Sequence, residues 1–189
     1  QWSRGLGDVY KRQIIDNSTG KKFEFNKKAG SIGPSVIDFS SFYSKTGMFV
    51  YDPGFTSTAN CQSEITYIDG EKGQLLHRGY RIEQLADSSD YAEVCYLLLN
   101  GELPDVDKKN EFINILTNHT MLHEQILTFY SGFRRDSHPM AIMVGIVGAL
   151  SSFYSEKTHD FSSIEGKWVA VSRLLAKMPT IAAMAYNTP

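Results

Sequence analysis

Residues 90–104, DYAEVCYLLLNGELP, carry the signals that decide which class of fold this sequence favours. Asp90 is a preferred N-cap residue, and Glu93 stands three positions later, where a capping box places its carboxylate. The residues between them and Gly101 are mostly apolar, and glycine is the residue type that most often follows the end of a helix. The stretch therefore predicts a buried helix that ends at Leu99.

Helical spacing of apolar residues continues from this helix to the end of the chain. Gly145 and Gly148 predict that one later helix closely approaches a neighbouring helix, and Pro179 predicts a kink in the last one. The helix starts are predicted, in chain order, at Pro104-Asp105, at Leu122, at Asp136 or Ser137 with Pro139 in the first turn, and at Ser162 with Glu165. The apolar stripe of the last helix is predicted at Ile164, Trp168, Val171, Leu175, Met178 and Ile181.

The part of the chain before these helices predicts two β-hairpins. Residues 14–25 have apolar residues at both ends and a cluster of turn formers between them. Residues 64–77 repeat this pattern around a loop in which Gly70 and Gly73 can take positive φ. A short helix is predicted to follow from Arg81.

These signals predict a mainly α, multihelical fold with small β-hairpins near its start. Residues 14–80 are assigned to the hairpin region and residues 81–189 to the helical region. Residues 1–13, QWSRGLGDVYKRQ, show neither helical nor strand periodicity and resemble translated adapter sequence. They are interpreted as an artefact and excluded from the fold. The alternative is a natural disordered leader.

The composition is that of an ordinary globular protein, with 42% hydrophobic and 21% charged residues among 189. A net charge of −2 predicts no broad basic surface, so nucleic acid is not an expected partner. The longest apolar run, residues 140–150, is shorter than the ~20 residues of a membrane-spanning helix. Two unpatterned cysteines, Cys61 and Cys95, indicate reduced thiols in a cytoplasmic protein.

Two histidines have the spacing of a metal pair. His119 and His123 lie four residues apart, on one face of a helix, and His138 is a candidate third ligand. In the metalloprotease arrangement, however, a glutamate follows the first histidine, whereas Glu124 follows the second. The alternative is that these histidines form local hydrogen bonds at a helix junction.

Two arginine-containing segments are the other candidates for chemistry. Arg134 and Arg135 could bind an anion or pair with Asp136. His77-Arg78 could contact a substrate or simply form the exit of the second hairpin. No glycine-rich phosphate loop and no nucleophile elbow is present in the sequence. The residues alone therefore predict a soluble, mostly helical protein without naming a reaction.

Longer motifs are more specific, and together they closely resemble the amino-terminal half of bacterial citrate synthase, of the type II kind that often forms hexamers. The resemblance runs from Ile14 to Pro189, in order and without large gaps. The motifs are YDPGFTSTANCQSEITYIDGEKGQLLHRGYRIEQLA (51–86), YAEVCYLLLNGELP (91–104), HTMLHEQ (119–125), FRRDSHPMAIMVGIVGALSSFY (133–154) and SRLLAKMPTIAAMAY (172–186).

The resemblance implies an enzyme of the tricarboxylic acid cycle that condenses acetyl-CoA with oxaloacetate and releases citrate and coenzyme A. It implies a homodimer or homohexamer and no metal or bound cofactor. The family's catalytic carboxylate, histidines and arginines lie in motifs that match no position here, so no catalytic, cofactor-binding or metal residue is assigned. The chain is therefore expected to be an incomplete, inactive domain.

Two other functions stay open beside this one. A 2-methylcitrate synthase, which uses propionyl-CoA, shares this half of the fold, although the motifs HTMLHEQ and FRRDSHPM favour citrate synthase. A protein from another class, a short helical chain that binds partners and catalyses nothing, is the second alternative.

The resemblance also implies a regulatory site, because some members of this bacterial type are inhibited by NADH far from the catalytic centre. Asn118 stands where regulated members carry arginine, which removes one cation from an anion site. The residues that resemble the parts of that site are His119, Thr120, Met121, Tyr154, Arg173 and Lys177.

Overall fold

The chain forms two compact units, one ending at Ser89 and the other beginning at Asp90. The computed structural model describes residues 11–154 and 162–187. The first unit contains two short antiparallel sheets and two short helices joined by irregular segments, whereas the second consists of helices. The chain is therefore mainly α with small β-hairpins near its start, as the sequence predicts.

The first sheet contains strands β1 (Lys11–Ile15), β2 (Lys22–Lys28) and β3 (Val36–Ile37), in that order. Strands β1 and β2 pair antiparallel and form the first predicted hairpin. Three residues that the sequence analysis excluded from the fold, numbers 11–13, belong to β1 and pair with residues 24–26. The sequence gives no alternating signal there because β1 is an exposed edge strand, with no apolar face to bury.

The first sheet packs against α1 (Phe42–Thr46) through an aromatic cluster. Phe25 of β2 is 1% exposed, and its ring lies 5.3 Å from that of Phe39 and 5.5 Å from that of Phe42, between ring centroids. The Lys45 ammonium lies 5.0 Å from the centroid of the Phe25 ring. Aromatic burial of this kind stabilises a small sheet that could not fold alone.

The second sheet contains β4 (Thr66–Asp69), β5 (Gln74–His77) and β6 (Tyr80–Arg81), followed by α2 (Ile82–Ser88). Strands β4 and β5 form the second predicted hairpin. Gly73 takes the predicted positive φ of 60°, and Gly79 turns the chain into β6 with a φ of 91°. Gly70 does not use the positive φ that a glycine allows there.

The second unit contains five α-helices in the part that the structure describes. These are α3 (Tyr91–Asn100), α4 (Val106–Asn118), α5 (Glu124–Tyr130), α6 (Pro139–Leu150) and α7 (Ile164–Asn187), with a 3₁₀ turn at Ser151–Phe153. No helix within 11–154 and 162–187 is both long and apolar enough to span a membrane.

The predicted capping box of α3 is confirmed. The Glu93 backbone N–H donates to the Asp90 carboxylate over 2.9 Å, and the Asp90 N–H donates to the Glu93 carboxylate over 2.8 Å. Gly101 follows the helix in the left-handed conformation, with a φ of 93°. The prediction that α3 is a buried helix is only partly correct, because most of its residues are half-buried, Leu97 is its one buried residue and Tyr91 is 72% exposed.

Two later caps lie one residue beyond their predicted positions. The N-cap of α6 is His138, whose Nδ1 accepts from the Met140 N–H, rather than Asp136 or Ser137. At the start of α7, which begins at Ile164, the Ser163 hydroxyl accepts from the Gly166 N–H over 3.0 Å. In the first case a histidine ring nitrogen replaces the expected oxygen acceptor, a choice that cap preferences do not anticipate.

The core of the second unit lies where α5, α6 and α7 meet. Its buried residues are Ile126, Tyr130, Ile142, Ile146, Leu150, Ile181 and Ala185. The predicted stripe of α7 is only partly correct, since Ile164 is 81% exposed and Val171 is 37% exposed. The buried residues of α7 are Ser172, Ala176, Lys177, Ile181 and Ala185. Pro179 lies inside α7, which continues to Asn187.

The two glycines of α6 differ in their surroundings, and this difference is testable. A Cβ at Gly145 would lie 2.9 Å from Cζ of Phe133, whereas a Cβ at Gly148 would meet nothing within 4 Å. Alanine is favoured over glycine in a helix by roughly 1 kcal/mol. We therefore expect Gly148→Ala to raise the free energy of unfolding by about 0.5–1 kcal/mol, measured by urea titration.

The matched variant is Gly145→Ala, in which the same propensity gain is offset because Phe133 must move. We expect it to be at least about 1 kcal/mol less stable than Gly148→Ala. Equal effects of the two substitutions would contradict the close contact between Phe133 and α6.

The capping box of α3 predicts a pH dependence. The hydrogen bond from Lys109, and next that from the Glu93 backbone, hold the pKa of Asp90 below its ordinary value of 3.8. The charged form is thus favoured by folding, and its contribution is complete above pH 3.8 and is lost as the pH falls through the lower, folded-state pKa. Because the pair is half exposed, this contribution should stay below about 1 kcal/mol.

Asp90→Asn, which retains a capping oxygen but carries no charge, should therefore be less stable than the wild type at pH 7, and this difference should be smaller at pH 2. Urea unfolding at both pH values measures the difference. In a Lys109→Met background the pH-dependent part should shrink, because Lys109 is the main cause of the shift. A difference that does not depend on pH would contradict this account of the cap.

Candidate functional site

The residues predicted for a regulatory site lie on three elements of the second unit. His119, Thr120 and Met121 belong to the connection between α4 and α5. Arg173 and Lys177 are one helical turn apart on α7. The structure brings the connection and α7 together, since the Lys177 ammonium donates to the His119 carbonyl over 2.7 Å.

The contact between the connection and α7 involves three consecutive backbone carbonyls. Lys177 also donates to the Met121 carbonyl, and the Thr180 hydroxyl donates to the Thr120 carbonyl over 3.0 Å. These carbonyls lie beyond the last residue of α4 and before the first residue of α5, so they are not part of the backbone hydrogen bonding within either helix. Thr180 was not among the predicted residues, because its role depends on which face of α7 meets the connection.

Arg173 and Tyr154 form the other pair within the predicted set. The guanidinium carbon of Arg173 lies 5.4 Å from the centroid of the Tyr154 ring, within the range of a cation–π contact. The contact orients Arg173 against the end of the 3₁₀ turn that follows α6. The structure thus pairs these two residues with each other and pairs Lys177 with the connection.

A pocket of about 300 Å³ lies between α4 and α7. His119 and Arg173 line it, together with Ile115, Trp168, Val169 and Ser172. The surface that these residues present to the pocket is mostly apolar. The lining residues include two pairs at helical i,i+4 spacing, Ile115 with His119 and Trp168 with Ser172. The sequence spacing therefore indicates which residues of each wall share a helix face, but not that the two walls pack against each other.

Ser172 is the unusual polar residue of this pocket. It is 1% exposed, and its hydroxyl has no hydrogen-bond partner among the residues that the structure describes. A hydroxyl in this situation costs free energy, because it has lost water without gaining a partner.

The three histidines considered for metal binding each make a local hydrogen bond. Nδ1 of His119 lies 2.8 Å from the Ile115 carbonyl, and since a carbonyl only accepts, that nitrogen carries the proton. Nδ1 of His123 and of His138 accept from the backbone N–H two residues later. Within the described ranges, no group of three or more His, Cys, Asp or Glu side chains is arranged to hold a metal ion.

Two of the arginine candidates, Arg134 and Arg78, also have local roles. Arg134 makes a bidentate pair with Asp136, with nitrogen–oxygen distances of 2.9 and 2.7 Å, as one of the two interpretations predicted. The Arg78 backbone N–H donates to the Ile65 carbonyl over 2.7 Å and closes the second hairpin. A φ of 50° at Arg78 is the left-handed conformation that the chain needs to turn after β5.

The shifted carboxyl groups of the structure are stabilised in their charged form. Hydrogen bonds from Ser18 and Thr19 lower the pKa of Asp16 to about 2, and one from Thr58, followed by others from the same loop, lowers that of Asp52 to about 2. Both carboxylates organise turns at the surface. A base that abstracts a proton from carbon needs a pKa close to the working pH, which these two groups do not have.

Comparison with known proteins assigns the chain to a family. Residues 54–189 match the family model described as citrate synthase, C-terminal domain. The crystal structure of citrate synthase from Pyrobaculum aerophilum is 33% identical, with a TM-score of 0.63, over 76% of this chain and 39% of that chain. A mainly α fold of citrate synthase type is thus established. The chain belongs to the citrate synthase family.

Two further solved structures are similar in fold. Citrate synthase from Thermotoga maritima MSB8 is 24% identical with a TM-score of 0.63, over 74% of this chain and 35% of that chain. The citrate synthase of Thermoplasma acidophilum, solved with carboxymethyl coenzyme A and oxaloacetate, is 20% identical with a TM-score of 0.64, over 72% and 36%. This chain therefore spans less than two-fifths of the length of these relatives.

The unpaired hydroxyl of Ser172 leads to a stability prediction. Ser172→Ala removes a buried polar group that has no partner and adds a better helix former. We expect the free energy of unfolding to rise by about 0.5–1 kcal/mol, measured by urea titration. The matched control is Ser163→Ala, which removes a hydroxyl that accepts from the Gly166 N–H and should lower stability by about 1 kcal/mol. A loss of stability in Ser172→Ala would show that this hydroxyl has a partner.

Proposed function

We propose that the protein containing this chain is a citrate synthase, which condenses acetyl-CoA with oxaloacetate and water to give citrate and coenzyme A. The observation that carries the proposal is the family match over residues 54–189. The 33% identity to the Pyrobaculum aerophilum enzyme supports it. A relative of the same fold holds carboxymethyl coenzyme A together with oxaloacetate, which supports the choice of substrates.

The proposed chemistry needs groups that this chain does not supply in recognisable motifs. A carboxylate takes a proton from the acetyl methyl group, one histidine stabilises the enol oxygen, and a second polarises the oxaloacetate carbonyl. Arginines hold the substrate carboxylates through bidentate hydrogen bonds. We assign none of these roles to His77, His119, His123 or His138. By this proposal, the 189-residue chain is inactive on its own.

Several finer statements belong to the same proposal. We place the chain in the amino-terminal half of a bacterial enzyme of the type that forms hexamers, because its motifs follow that half in order. The enzyme would act in the cytoplasm as a homodimer or homohexamer, within the tricarboxylic acid cycle and without a metal or bound cofactor. Inhibition by NADH stays a prediction from the sequence.

A thiol-release assay tests the proposal. The complete gene product, incubated with oxaloacetate, should release coenzyme A from acetyl-CoA with a kcat/KM at least about tenfold higher than from propionyl-CoA, because one methylene changes specificity by roughly that factor. The 189-residue chain, assayed alongside as the matched control, should release none.

Three results would contradict the proposal. A strong preference for propionyl-CoA would identify a 2-methylcitrate synthase instead. Sustained turnover by the 189-residue chain would show that catalytic residues lie within it. Absence of thiol release from the complete, folded gene product would favour a non-catalytic helical protein.

A further inference from the structure

The connection between α4 and α5 is fastened to α7 by a small polar cluster that contains a buried lysine. Lys177 is 5% exposed, and its ammonium donates to the carbonyls of His119 and Met121. Thr180, three residues later on α7, donates to the intervening carbonyl of Thr120. Two side chains of one helix thus satisfy three consecutive carbonyls of the chain that crosses it.

A buried ammonium requires such acceptors. Taking a lysine out of water costs several kcal/mol unless its N–H groups find oxygen partners. The two carbonyls supply these partners, and their position beyond the C-terminal end of α4 adds the favourable negative end of the helix dipole. The contact is therefore reciprocal, because the carbonyls solvate the cation and the cation satisfies the carbonyls.

The same lysine is among the residues that resemble parts of the NADH site, where a cation would bind an anionic group of the ligand. That role needs an ammonium that a ligand can reach. Here the side chain is 5% exposed and is covered by the connection that it holds. The amide of Asn118 donates to the Asn114 side chain within α4.

We propose that Lys177 is a positioning residue, which together with Thr180 holds residues 119–121 against α7, and that an anion can reach Lys177 only when this connection opens. Contact with an anion and closure of the connection are then mutually exclusive. A ligand that takes the lysine must leave the carbonyls of His119 and Met121 without their donor.

Amide hydrogen exchange of the complete gene product tests the positioning role. Lys177→Met keeps a long side chain but removes the donors, so exchange in a peptide covering residues 119–126 should become at least about tenfold faster. Thr180→Val removes one neutral hydrogen bond and should give a smaller increase, while Lys177→Arg should stay closer to the wild type. If Lys177→Met fails to fold, faster exchange in Thr180→Val than in Lys177→Arg still tests the positioning role.

The matched control is Lys108→Met, at a lysine that pairs with Asp105 and is 59% exposed. It should leave exchange in residues 119–126 unchanged. Wild-type exchange in both Lys177→Met and Thr180→Val would overturn the proposal. Thiol release plays no part in this readout, so failure of the proposed enzyme activity and failure of this inference are separate results.

Inorganic pyrophosphate serves as the probe for the second half of the proposal. We expect that up to millimolar concentration it neither binds through Lys177 nor alters exchange in residues 119–126. Binding that depends on Lys177 and is accompanied by faster exchange there would also agree with mutual exclusion. Binding that is abolished in Lys177→Arg and Lys177→Met, while the wild-type connection stays fully protected, would overturn it.

Discussion

The helical unit depends on the packing of α5 and α6 against α7. Tyr130 of α5 is fully buried, and its hydroxyl donates to the Ile181 carbonyl of α7 over 3.0 Å. Ile142 and Ile146 of α6 complete the core around this hydrogen bond. Burial raises the pKa of Tyr130, which keeps its hydroxyl a donor under ordinary conditions. An apolar core therefore contains one directional contact that defines how α5 meets α7.

The polar cluster at the α4–α5 connection extends this organisation toward α4. Lys177 and Thr180 belong to the same long helix as Ile181, so one element both buries the core and satisfies the carbonyls of the chain that crosses it. The pocket lined by Trp168 and His119, among others, lies between α4 and the same helix, α7. Several of the residues that resemble parts of a regulatory site in the sequence thus also make contacts within the fold.

Membership of the citrate synthase family is consistent with a chain whose described side chains mostly organise structure. The histidines form local hydrogen bonds, and Arg134 pairs with Asp136. Asp16 and Asp52 have lowered pKa values because they hold turns together. In this part of the fold, these charges and hydrogen bonds serve helix ends and turns.

Local signals in the sequence determined a large part of the fold. The capping box of Asp90 and Glu93, the stop at Gly101 and both hairpins were predicted correctly, because each depends on residues within a few positions of one another. The family, too, was recognisable from motifs alone. Backbone geometry and short-range hydrogen bonds of this kind depend on residues that are close together in the sequence.

Only the tertiary structure decided which face of each helix is buried and what the polar residues on that face contact. Apolar residues occur on several sides of α7, so periodicity placed Ile164 in the stripe although it is exposed, and omitted Lys177, which is buried. The edge strand from Lys11 was missed because it has no apolar face, and the cap by His138 because a ring nitrogen replaced an oxygen. Each of these outcomes depends on a contact with residues many positions away or on a side-chain rotamer, and the local spacing of residues determines neither of these.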